Sequence, residues 1–365
     1  MKAGRMRPGS EAELAEMVAS AVGPLVVRGG GTRAIGQVEG EVLETAGLVG
    51  ISLYEPAALT LVVRAGTALA EVERVLAQER QRLGFEVPDL RRLLGRTGVS
   101  SIGGVVAANA SGPRRVQAGA CRDALLGVRF VDGLGTVVKN GGRVMKNVTG
   151  YDLVKLMAGS HGTLGVLSEV SFKVQAVPEA EASVVVEGLE DAAGLAVLRR
   201  ALGSPFDISG AARIAGRSLI RVEGMAGSVA YRVGRLQALM AGDCAVVEGA
   251  ESAALWRAVR DVAPFAGREG AVWRLAVVPS VAAEVVGATA GEAVYDWGGG
   301  LVWLLLPVGR AAQVRAAVAG RGHATLVRGG EAAAFPPEAP EVAGLMAGLR
   351  ARFDPRGILN RGLMG

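Results

Sequence analysis

A glycine-rich stretch between Gly95 and Val166 constrains the fold of this chain more than any other feature. Its centre, Ser101 to Pro113, reads SIGGVVAANASGP, with small residues between short apolar runs. Backbone that carries no side chain can approach a flat or anionic ligand closely, and bare N–H groups in glycine-rich turns form concave anion sites. We therefore interpret this stretch as a ligand-binding segment rather than as packed core.

A second glycine-rich segment lies near the N-terminus. The apolar run Leu25–Val27 predicts a buried strand, which leads directly into residues 28–33, RGGGTR. N–H groups in such a loop can point at phosphate oxygens, with Thr32 as an extra donor, although an ordinary tight turn has the same pattern. No Gly-x-Gly-x-x-Gly follows this strand and Gly-Lys occurs nowhere, so neither a Rossmann site nor a Walker A loop is predicted.

The composition excludes several classes of function. With 365 residues, of which 50% are hydrophobic and 21% charged, the chain is long enough for two globular domains. The net charge of +5 raises the question of nucleic acid, yet aromatic residues are only 4% and basic doublets are few and scattered, so we predict no nucleic-acid binding. Two distant cysteines, Cys121 and Cys244, are too few to hold an iron–sulfur cluster and predict no disulfide scaffold.

The sequence has no pattern of a secretory signal or of a membrane span. The basic residues within positions 1–8 are not followed by an apolar h-region. The apolar run Leu301–Leu306 is far too short to cross a bilayer and predicts a buried strand instead. Together with the low cysteine content, these features predict a cytoplasmic location.

Local patterns predict two regions that differ in their secondary structure. Residues 10–22 are expected to form a helix in which Ser10 and Glu13 supply a capping box, and Asp152 is expected to cap a later helix. Beyond Pro178, strand-like and helix-like segments alternate, which predicts an α+β domain with an antiparallel sheet and helices on one side. The predicted division is residues 1–178, residues 179–339 and a C-terminal segment, 340–365, that returns to the first domain.

Short motifs occur in a definite order across the chain. They are RGGGT at 28–32, SIGG and NASG between 101 and 112, RDALLG at 122–127, TGYDL at 149–153, GTLGVLSE at 162–169 and FDPRGILN at 353–360. In this order they resemble the vanillyl-alcohol oxidase/PCMH-type FAD-binding flavoproteins. The resemblance implies an α+β fold: a PCMH-type FAD-binding domain of two α/β subdomains, and a smaller α+β cap domain with an antiparallel sheet.

Three further segments narrow the resemblance. MKNVTGYD at 145–152, SGPRR at 111–115 and GHATL at 322–326 are similar to the E-type FAD-binding subunits of bacterial glycolate oxidases. This similarity implies a flavoprotein oxidoreductase subunit that takes part in electron transfer from a small 2-hydroxy acid. It implies as partners a larger FAD subunit and an iron–sulfur subunit, with contact to a membrane only peripheral and only through the complex.

The resemblance also assigns residues to the cofactor. The loop 28–33 and the segment 101–112 are expected at the pyrophosphate and ribityl chain, residues 149–151 and 162–166 at the flavin and adenine, and Asn360 near the ring. The expected FAD-binding residues are Arg28, Gly29, Gly30, Gly31, Thr32, Arg33, Ser101, Gly103, Gly104, Ala108, Asn109, Ser111, Gly112, Thr149, Gly150, Tyr151, Gly162, Thr163, Gly165, Val166 and Asn360.

The chain departs from the family pattern in two ways. Many members carry a histidine in or just after the first glycine loop that bonds covalently to FAD, whereas this chain has Thr32 and Arg33, so we predict non-covalent FAD. Hydroxy-acid dehydrogenases of the family hold a divalent metal with several histidines and a glutamate, whereas this chain has only His161 and His323. We therefore predict no metal and no complete substrate chemistry in this chain alone.

Some side chains keep more than one interpretation. His161 and His323 are the candidate catalytic residues, His161 as a base near its usual pKa or as a group that tunes the flavin, but a plain structural role fits both. Arg114 and Arg115 suit a carboxylate or phosphate, a solvent-facing pair or a docking patch. Tyr151 is expected to pack with its hydroxyl hydrogen-bonded, and the four tryptophans to lie in the core or at a subunit interface.

Two other functions stay open from the sequence. The first is a free-standing FAD-dependent 2-hydroxy-acid dehydrogenase in which His323 or an arginine replaces the metal site. The second is a scaffold subunit that no longer binds flavin, although the glycine loops are intact.

Overall fold

The computed structural model describes residues 6–143, 150–240 and 244–364. The first part of the chain contains α1 (Glu11–Ser20), β1 (Leu25–Arg28), β2 (Glu41–Glu44), β3 (Ile51–Glu55), β4 (Thr60–Arg64), α2 (Leu69–Gln78), β5 (Gln81–Leu83), α3 (Arg91–Leu94), α4 (Ile102–Ala107), α5 (Arg115–Ala118), α6 (Cys121–Ala124), β6 (Leu125–Val131), β7 (Val137–Gly141), α7 (Leu153–Met157) and β8 (Val166–Ala176). The second part contains β9 (Ala180–Val186), α8 (Asp191–Leu202), β10 (Gly210–Ile214), β11 (Arg217–Gly224), α9 (Ala226–Leu239), β12 (Cys244–Glu248), α10 (Gly249–Arg260), β13 (Ala271–Val277), α11 (Ala282–Thr289), β14 (Glu292–Asp296), β15 (Leu301–Leu306), α12 (Ala311–Val318) and β16 (Gly322–Arg328). The last helix is α13 (Pro340–Phe353).

An antiparallel sheet forms the larger half of the first part. Its strand order is β3-β4-β8-β6-β7, and β5 pairs with the far end of β8. Side chains of β8 alternate between the two faces, and Val170 and Phe172 are fully buried on one of them. Val72 and Leu76 of α2 join the same core, so the sheet is a rigid support for the loops at its edge.

The parallel pair of β1 and β2 forms the smaller half, and the C-terminal segment completes it. The N–H of Leu25 donates to the carbonyl of Ile358 at 2.7 Å. Helix α1 begins where predicted, because the Oγ of Ser10 accepts the N–H of Glu13 at 3.2 Å. The Glu13 carboxylate accepts the N–H of Gly9 rather than that of Ser10, so only one arm of the predicted capping box forms.

The second part is built on one eight-stranded antiparallel sheet, in the order β12-β9-β11-β10-β14-β15-β13-β16. Helices α8, α9, α11 and α12 pack in one core on one face. Helix α10 lies on the opposite face, where the Nε1 of Trp256 donates to the Oγ of Ser183 at 2.7 Å. The prediction of helices on one side is therefore wrong for α10. The second face of the sheet is also apolar, so it must be buried as well. Residues of α10 cover it, together with Leu93 from the first part.

Sequence patterns locate most elements of the second part but miss β10 and β14. All five residues of β10 are buried, so the strand shows no alternation of polar and apolar residues. The division at residues 178 and 339 stays a prediction. In the structure, β8 ends at Ala176, β9 begins at Ala180, and the C-terminal segment hydrogen-bonds with β1.

Buried ion pairs join the two parts of the chain. The carboxylate of Glu223 on β11 accepts hydrogen bonds from Arg114 at 2.9 Å and from Arg82 at 2.7 Å. Arg221 donates two hydrogen bonds to Glu86, at 2.9 and 3.0 Å. Burial by itself raises the pKa of Glu223, but the hydrogen bond from Arg114 and the surrounding guanidinium charges lower it overall. Arg114 is thus a buried structural residue, and none of its predicted roles is correct.

Candidate functional site

The two glycine-rich segments lie directly against each other. A Cβ at Gly30 would lie 1.5 Å from the carbonyl oxygen of Val99, and a Cβ at Gly29 would lie 2.2 Å from the Oγ of Ser101. At Gly30 the neighbour is backbone, so no side chain fits there, whereas at Gly29 the neighbour is the hydroxyl of Ser101, which would have to rotate away. The loop 28–33 and the segment that begins at Gly98 therefore form one wall.

Arg33 places a charge in this wall without a carboxylate to neutralise it. Its Nη2 donates to the Oγ of Ser100 at 2.6 Å, and its Nη1 is buried without an acceptor among the described residues. Burial lowers the pKa of Arg33 to about 10, so it is still protonated at neutral pH. Arg28, in contrast, is paired with Glu44 at 2.7 Å. A buried cation with a free donor fits a ligand anion such as a pyrophosphate.

The short helix α4 holds the second segment on the sheet. Ser101 caps it, since its Oγ accepts the N–H of Gly104 at 3.4 Å. The N–H of Gly103 donates to the carbonyl of Ala65 at 2.7 Å, and a Cβ at Gly103 would lie 2.7 Å from the Cβ of Ala65. Gly103 thus permits close packing of α4 on β4, and its N–H is already used. Its expected role at FAD stays a prediction.

The predicted residues that follow α4 serve mainly to fold the chain locally. Asn109 has a φ of 44°, and its Oδ1 accepts the N–H of Arg122 at 3.0 Å. The Oγ of Ser111 accepts the N–H of Cys121 at 3.0 Å. Gly112 accepts a hydrogen bond from the Nε1 of Trp297 at 3.1 Å, so it lies where the two parts of the chain meet.

Asn360 ties three predicted segments together. Its Oδ1 accepts the N–H of Val27 at 2.8 Å, and its Nδ2 donates to the carbonyl of His161 at 2.7 Å. The N–H of His161 in turn donates to the carbonyl of Ala107, at the end of α4 and next to Ala108. The structure therefore brings the strand before the first loop, the end of α4 and the loop with Gly162 to one place.

His161 lies at this place, whereas His323 does not contact it. The imidazole of His161 meets the ring of Phe335 edge-on at 5.3 Å between centroids. Burial, and then the charge of Arg274, lowers the pKa of His161 to about 4, so the ring is uncharged at neutral pH. The prediction that His161 acts as a base near its usual pKa is therefore wrong. His323 is exposed on β16, opposite Ala276.

The remaining predicted residues are spread over the first part. Thr32 and Thr163 are buried, and Thr163 donates to the carbonyl of Ser160 at 2.7 Å. Val166 lies in the core, directly after Gly165. Gly31 and Gly150 have positive φ, and Ala108 donates its N–H to Gly104. Tyr151 is 88% exposed, so its predicted packing is wrong. Thr149 lies outside the described residues.

The structure adds residues that sequence reasoning missed. The guanidinium of Arg274 on β13 lies 5.4 Å from the ring centroid of Trp297, and that of Arg115 lies 4.4 Å from the same centroid. Asp296 is buried beside them, and its carboxylate accepts the N–H of Trp297 at 2.7 Å. A charged residue between Trp273 and Leu275 in an otherwise apolar strand was the available signal for Arg274. Trp297 is thus partly buried against the core of the second part and also stacks with two guanidinium groups.

The described residues contain neither a metal-binding cluster nor a membrane-spanning helix. Across residues 6–143, 150–240 and 244–364, no three or more His, Cys, Asp or Glu side chains are grouped so that they could hold a metal ion. In the same ranges, no helix is both long and apolar enough to cross a bilayer.

Comparison with known proteins identifies the family. The sequence pattern described as "FAD binding domain" matches residues 3–141. Glycolate oxidase subunit GlcE of Escherichia coli (strain K12) is 35% identical over 345 residues, which are 93% of this chain and 92% of that protein. The chain belongs to the GlcE family. The predicted membership of the FAD-dependent oxidoreductases, with FAD as cofactor, is confirmed.

Other proteins match this chain at lower sequence identity. Glycolate oxidase subunit GlcD of Bacillus subtilis (strain 168) is 32% identical over 166 residues, or 44% of this chain and 34% of that protein. The solved structure of an alkyldihydroxyacetonephosphate synthase has a TM-score of 0.68 at 15% identity, over 98% of this chain and 75% of that chain. A chitooligosaccharide oxidase has a TM-score of 0.64 at 15% identity, over 97% and 89%. Such identities show the fold alone, and the predicted fold class is confirmed.

Proposed function

We propose that this chain is the FAD-carrying subunit of a glycolate, or related 2-hydroxy-acid, oxidase complex. The observation that carries the proposal is the meeting of the two glycine-rich segments with Asn360, next to a buried and unneutralised Arg33. Such a wall suits a ligand that is long, partly flat and anionic, which describes a dinucleotide.

The residues that would hold FAD follow from this arrangement. Residues 28–33 and 98–104 would contact the pyrophosphate, with Arg33 as the charged donor, and Asn360 would keep the loop of His161 and Gly162 in place. Because Thr32 and Arg33 stand where other members carry a covalently bonded histidine, the cofactor would be held without a covalent bond. The further predicted contacts, including those of Gly150, remain part of the proposal.

When bound, FAD supplies the capacity to accept and pass on electrons. The chain itself would bind and orient the cofactor. His161 would face the cleft as an uncharged group at neutral pH, because burial lowers its pKa to about 4. His323 is exposed on the second sheet and stays a candidate only for contact with the substrate or a partner.

The relatives support an assembly of several subunits. The proteins from Escherichia coli and Bacillus subtilis are both named as subunits of glycolate oxidase. By analogy, the partner of this chain would be a larger flavin-carrying subunit. An iron–sulfur subunit, a cytoplasmic location and a peripheral contact with a membrane through the complex are further parts of the same proposal.

The visible spectrum of the purified chain tests the proposal. We expect a yellow protein that releases its flavin into the supernatant on acid precipitation, because no residue replaces the covalent histidine. Colour that stays in the pellet would contradict non-covalent binding. A colourless chain that takes up no added FAD would contradict the proposal itself and leave a scaffold subunit.

Addition of glycolate without oxygen separates the two catalytic alternatives. If the chain only passes on electrons within a complex, its flavin should keep its colour with glycolate until the partner subunits are added. Rapid bleaching of the isolated chain by glycolate would instead identify a free-standing dehydrogenase. Bleaching of the reconstituted complex, with none in the chain alone, is the result that we expect.

A further inference from the structure

The last helix, α13, is left uncovered by the rest of the chain. Across Pro340–Phe353, all of which the structure describes, no side chain is buried. Leu345 is 72% exposed, and Val342 and Leu349 are 43% and 39% exposed. Helix α9 has the same length and buries apolar side chains against the second sheet. An apolar helix face that stays in water marks a surface for binding another protein.

Contacts between α13 and the rest of the chain lie on one side of the helix. The Nη2 of Arg350 donates to two carbonyls of the C-terminal segment, at 2.8 and 2.6 Å. The ring of Phe353 lies 6.0 Å from that of Phe130, between centroids. Met346 is partly buried. Because Met346, Arg350 and Phe353 are four and three residues apart, they define the side of the helix that faces the chain.

The side that points away, which we call the outward face, carries Glu341, Leu345, Gly348 and Arg352. These positions are four, three and four residues apart, which is the spacing of a seam along one side of a helix, and all are exposed. The side chains of Glu341 and Arg352 make no hydrogen bond or ion pair with another described residue. A Cβ at Gly348 would meet nothing within 4 Å. The outward face thus carries an anion, a leucine, an open space and a cation, in that order.

This order is complementary to itself when a second copy of the helix runs in the opposite direction. With a two-fold axis at the middle of α13, between residues 346 and 347, Glu341 of one copy lies beside Arg352 of the other. Leu345 of one copy then lies over Gly348 of the other, where the glycine leaves room for it. Each contact occurs twice. A parallel pair would instead place like charges together at both ends, which is unfavourable.

We propose that this chain forms a two-fold symmetric dimer through the outward face of α13, with the two copies of the helix packed antiparallel. The occupant is a second copy because its charges and its shape match the face. A helix of 14 residues is about 21 Å long, so the interface is smaller than that of a permanent dimer. We therefore expect reversible association, with a dissociation constant on the order of 10 µM.

Sedimentation velocity of the full chain at about 2 to 200 µM tests the proposal, since this range brackets the affinity expected of a small interface. We expect monomer at the low end and dimer at the high end. Leu345→Glu, which places two carboxylates near the axis, should weaken association by more than about tenfold. Tyr231→Glu is the matched control, because Tyr231 is 64% exposed on α9, and it should leave association unchanged. Both variants should melt with the wild type, since both positions are exposed.

Charge reversal tests the antiparallel arrangement. Glu341→Arg and Arg352→Glu should each weaken association by about threefold to tenfold, because each places like charges together at both ends of the interface. The double variant exchanges the two charges and restores both pairs, so it should dimerise like the wild type. An interface elsewhere on the chain would not show this rescue.

Three results would overturn the proposal: a chain that stays monomeric at the highest concentration, a dimer that Leu345→Glu leaves intact, or no rescue in the double variant. If the isolated chain is monomeric and Leu345→Glu prevents assembly with a larger flavin-carrying subunit, α13 serves that subunit and the proposal is wrong. A chain that binds no FAD contradicts the proposed function but leaves this test unaffected, because none of its measurements depends on flavin.

Discussion

At the scale of single residues, the site depends on glycines that nothing else can replace. Gly30 is the clearest example, because a Cβ there would overlap the carbonyl oxygen of Val99 at 1.5 Å. The neighbour is backbone and cannot rotate away. Any side chain must therefore push apart the two segments that form the proposed cofactor wall.

We expect Gly30→Ala to lower the free energy of unfolding by about 1 to 3 kcal/mol, the usual cost of overpacking, and to weaken FAD binding more than tenfold. Chemical unfolding and fluorimetric titration with FAD measure the two effects. Gly234→Ala in helix α9 is the matched control. A Cβ there meets nothing within 4 Å, so this variant should gain about 0.5 to 1 kcal/mol and bind FAD normally. A Gly30→Ala chain that binds FAD as tightly as the wild type would refute the proposed wall.

At the scale of elements, the C-terminal segment acts as a tie between β1 and the loop that follows α7. Asn360 makes both of its hydrogen bonds to backbone groups far away in sequence, at Val27 and His161. The side chain is buried, so loss of the amide leaves two backbone groups without a partner.

We expect Asn360→Ala to cost about 1 to 3 kcal/mol of stability and to expose the loop at His161, which faster hydrogen exchange of residues 160–163 would report. Asn360→Asp keeps the acceptor for Val27 but loses the donor, so its effect should be intermediate. Gln313→Ala, in helix α12, removes an amide whose hydrogen bond to the carbonyl of Ala288 is exposed to solvent, and it should change neither quantity. Unchanged exchange in Asn360→Ala would show that the tie does not hold the loop.

At the scale of the whole molecule, buried charges set how the two parts sit on each other. Glu86 and Arg114 of the first part meet Arg221 and Glu223 of the second, and all four side chains are largely buried. Removal of one member leaves uncompensated charge in a poorly solvated place, which costs more than loss of an exposed pair.

The pH dependence of stability follows from the pKa shifts in this cluster. In the folded chain, the pKa values of Glu86 and Glu223 are lowered overall, against the effect of burial, by the arginines around them. Their contribution to stability is therefore complete above the unfolded value near 4.3 and is lost as the pH falls through the lower folded values. We expect the melting temperature to fall steeply below about pH 4.5.

We expect Glu223→Gln to lose about 3 to 5 kcal/mol at pH 7 and to show a flatter fall of melting temperature in acid, because part of the titrating charge is gone. Glu292→Gln, which breaks an exposed pair with Arg268, is the control and should resemble the wild type. If the melting temperatures of Glu223→Gln and the wild type fell equally in acid, the acid sensitivity would not come from Glu223.

Sequence patterns by themselves determined the family, the cofactor and the α+β class, together with the places of most helices and strands. They could do so because glycine-rich loops, caps and apolar periodicity are local: Ser10 and Asp152 cap their helices wherever those helices finally pack. Even where a local rule failed, as for β10, the cause was burial on both sides of the strand, which erases alternation.

Only the tertiary structure decided which residues meet. Arg114 and Arg115 are neighbours in sequence, yet one is buried against Glu223 and the other lies on Trp297. Asp296 and Arg274 come close to each other because their strands, β14 and β13, both pair with β15 in the second sheet. Burial and charge depend on atoms that are distant along the chain, so the pKa of His161 and the lone guanidinium of Arg33 had no local signal.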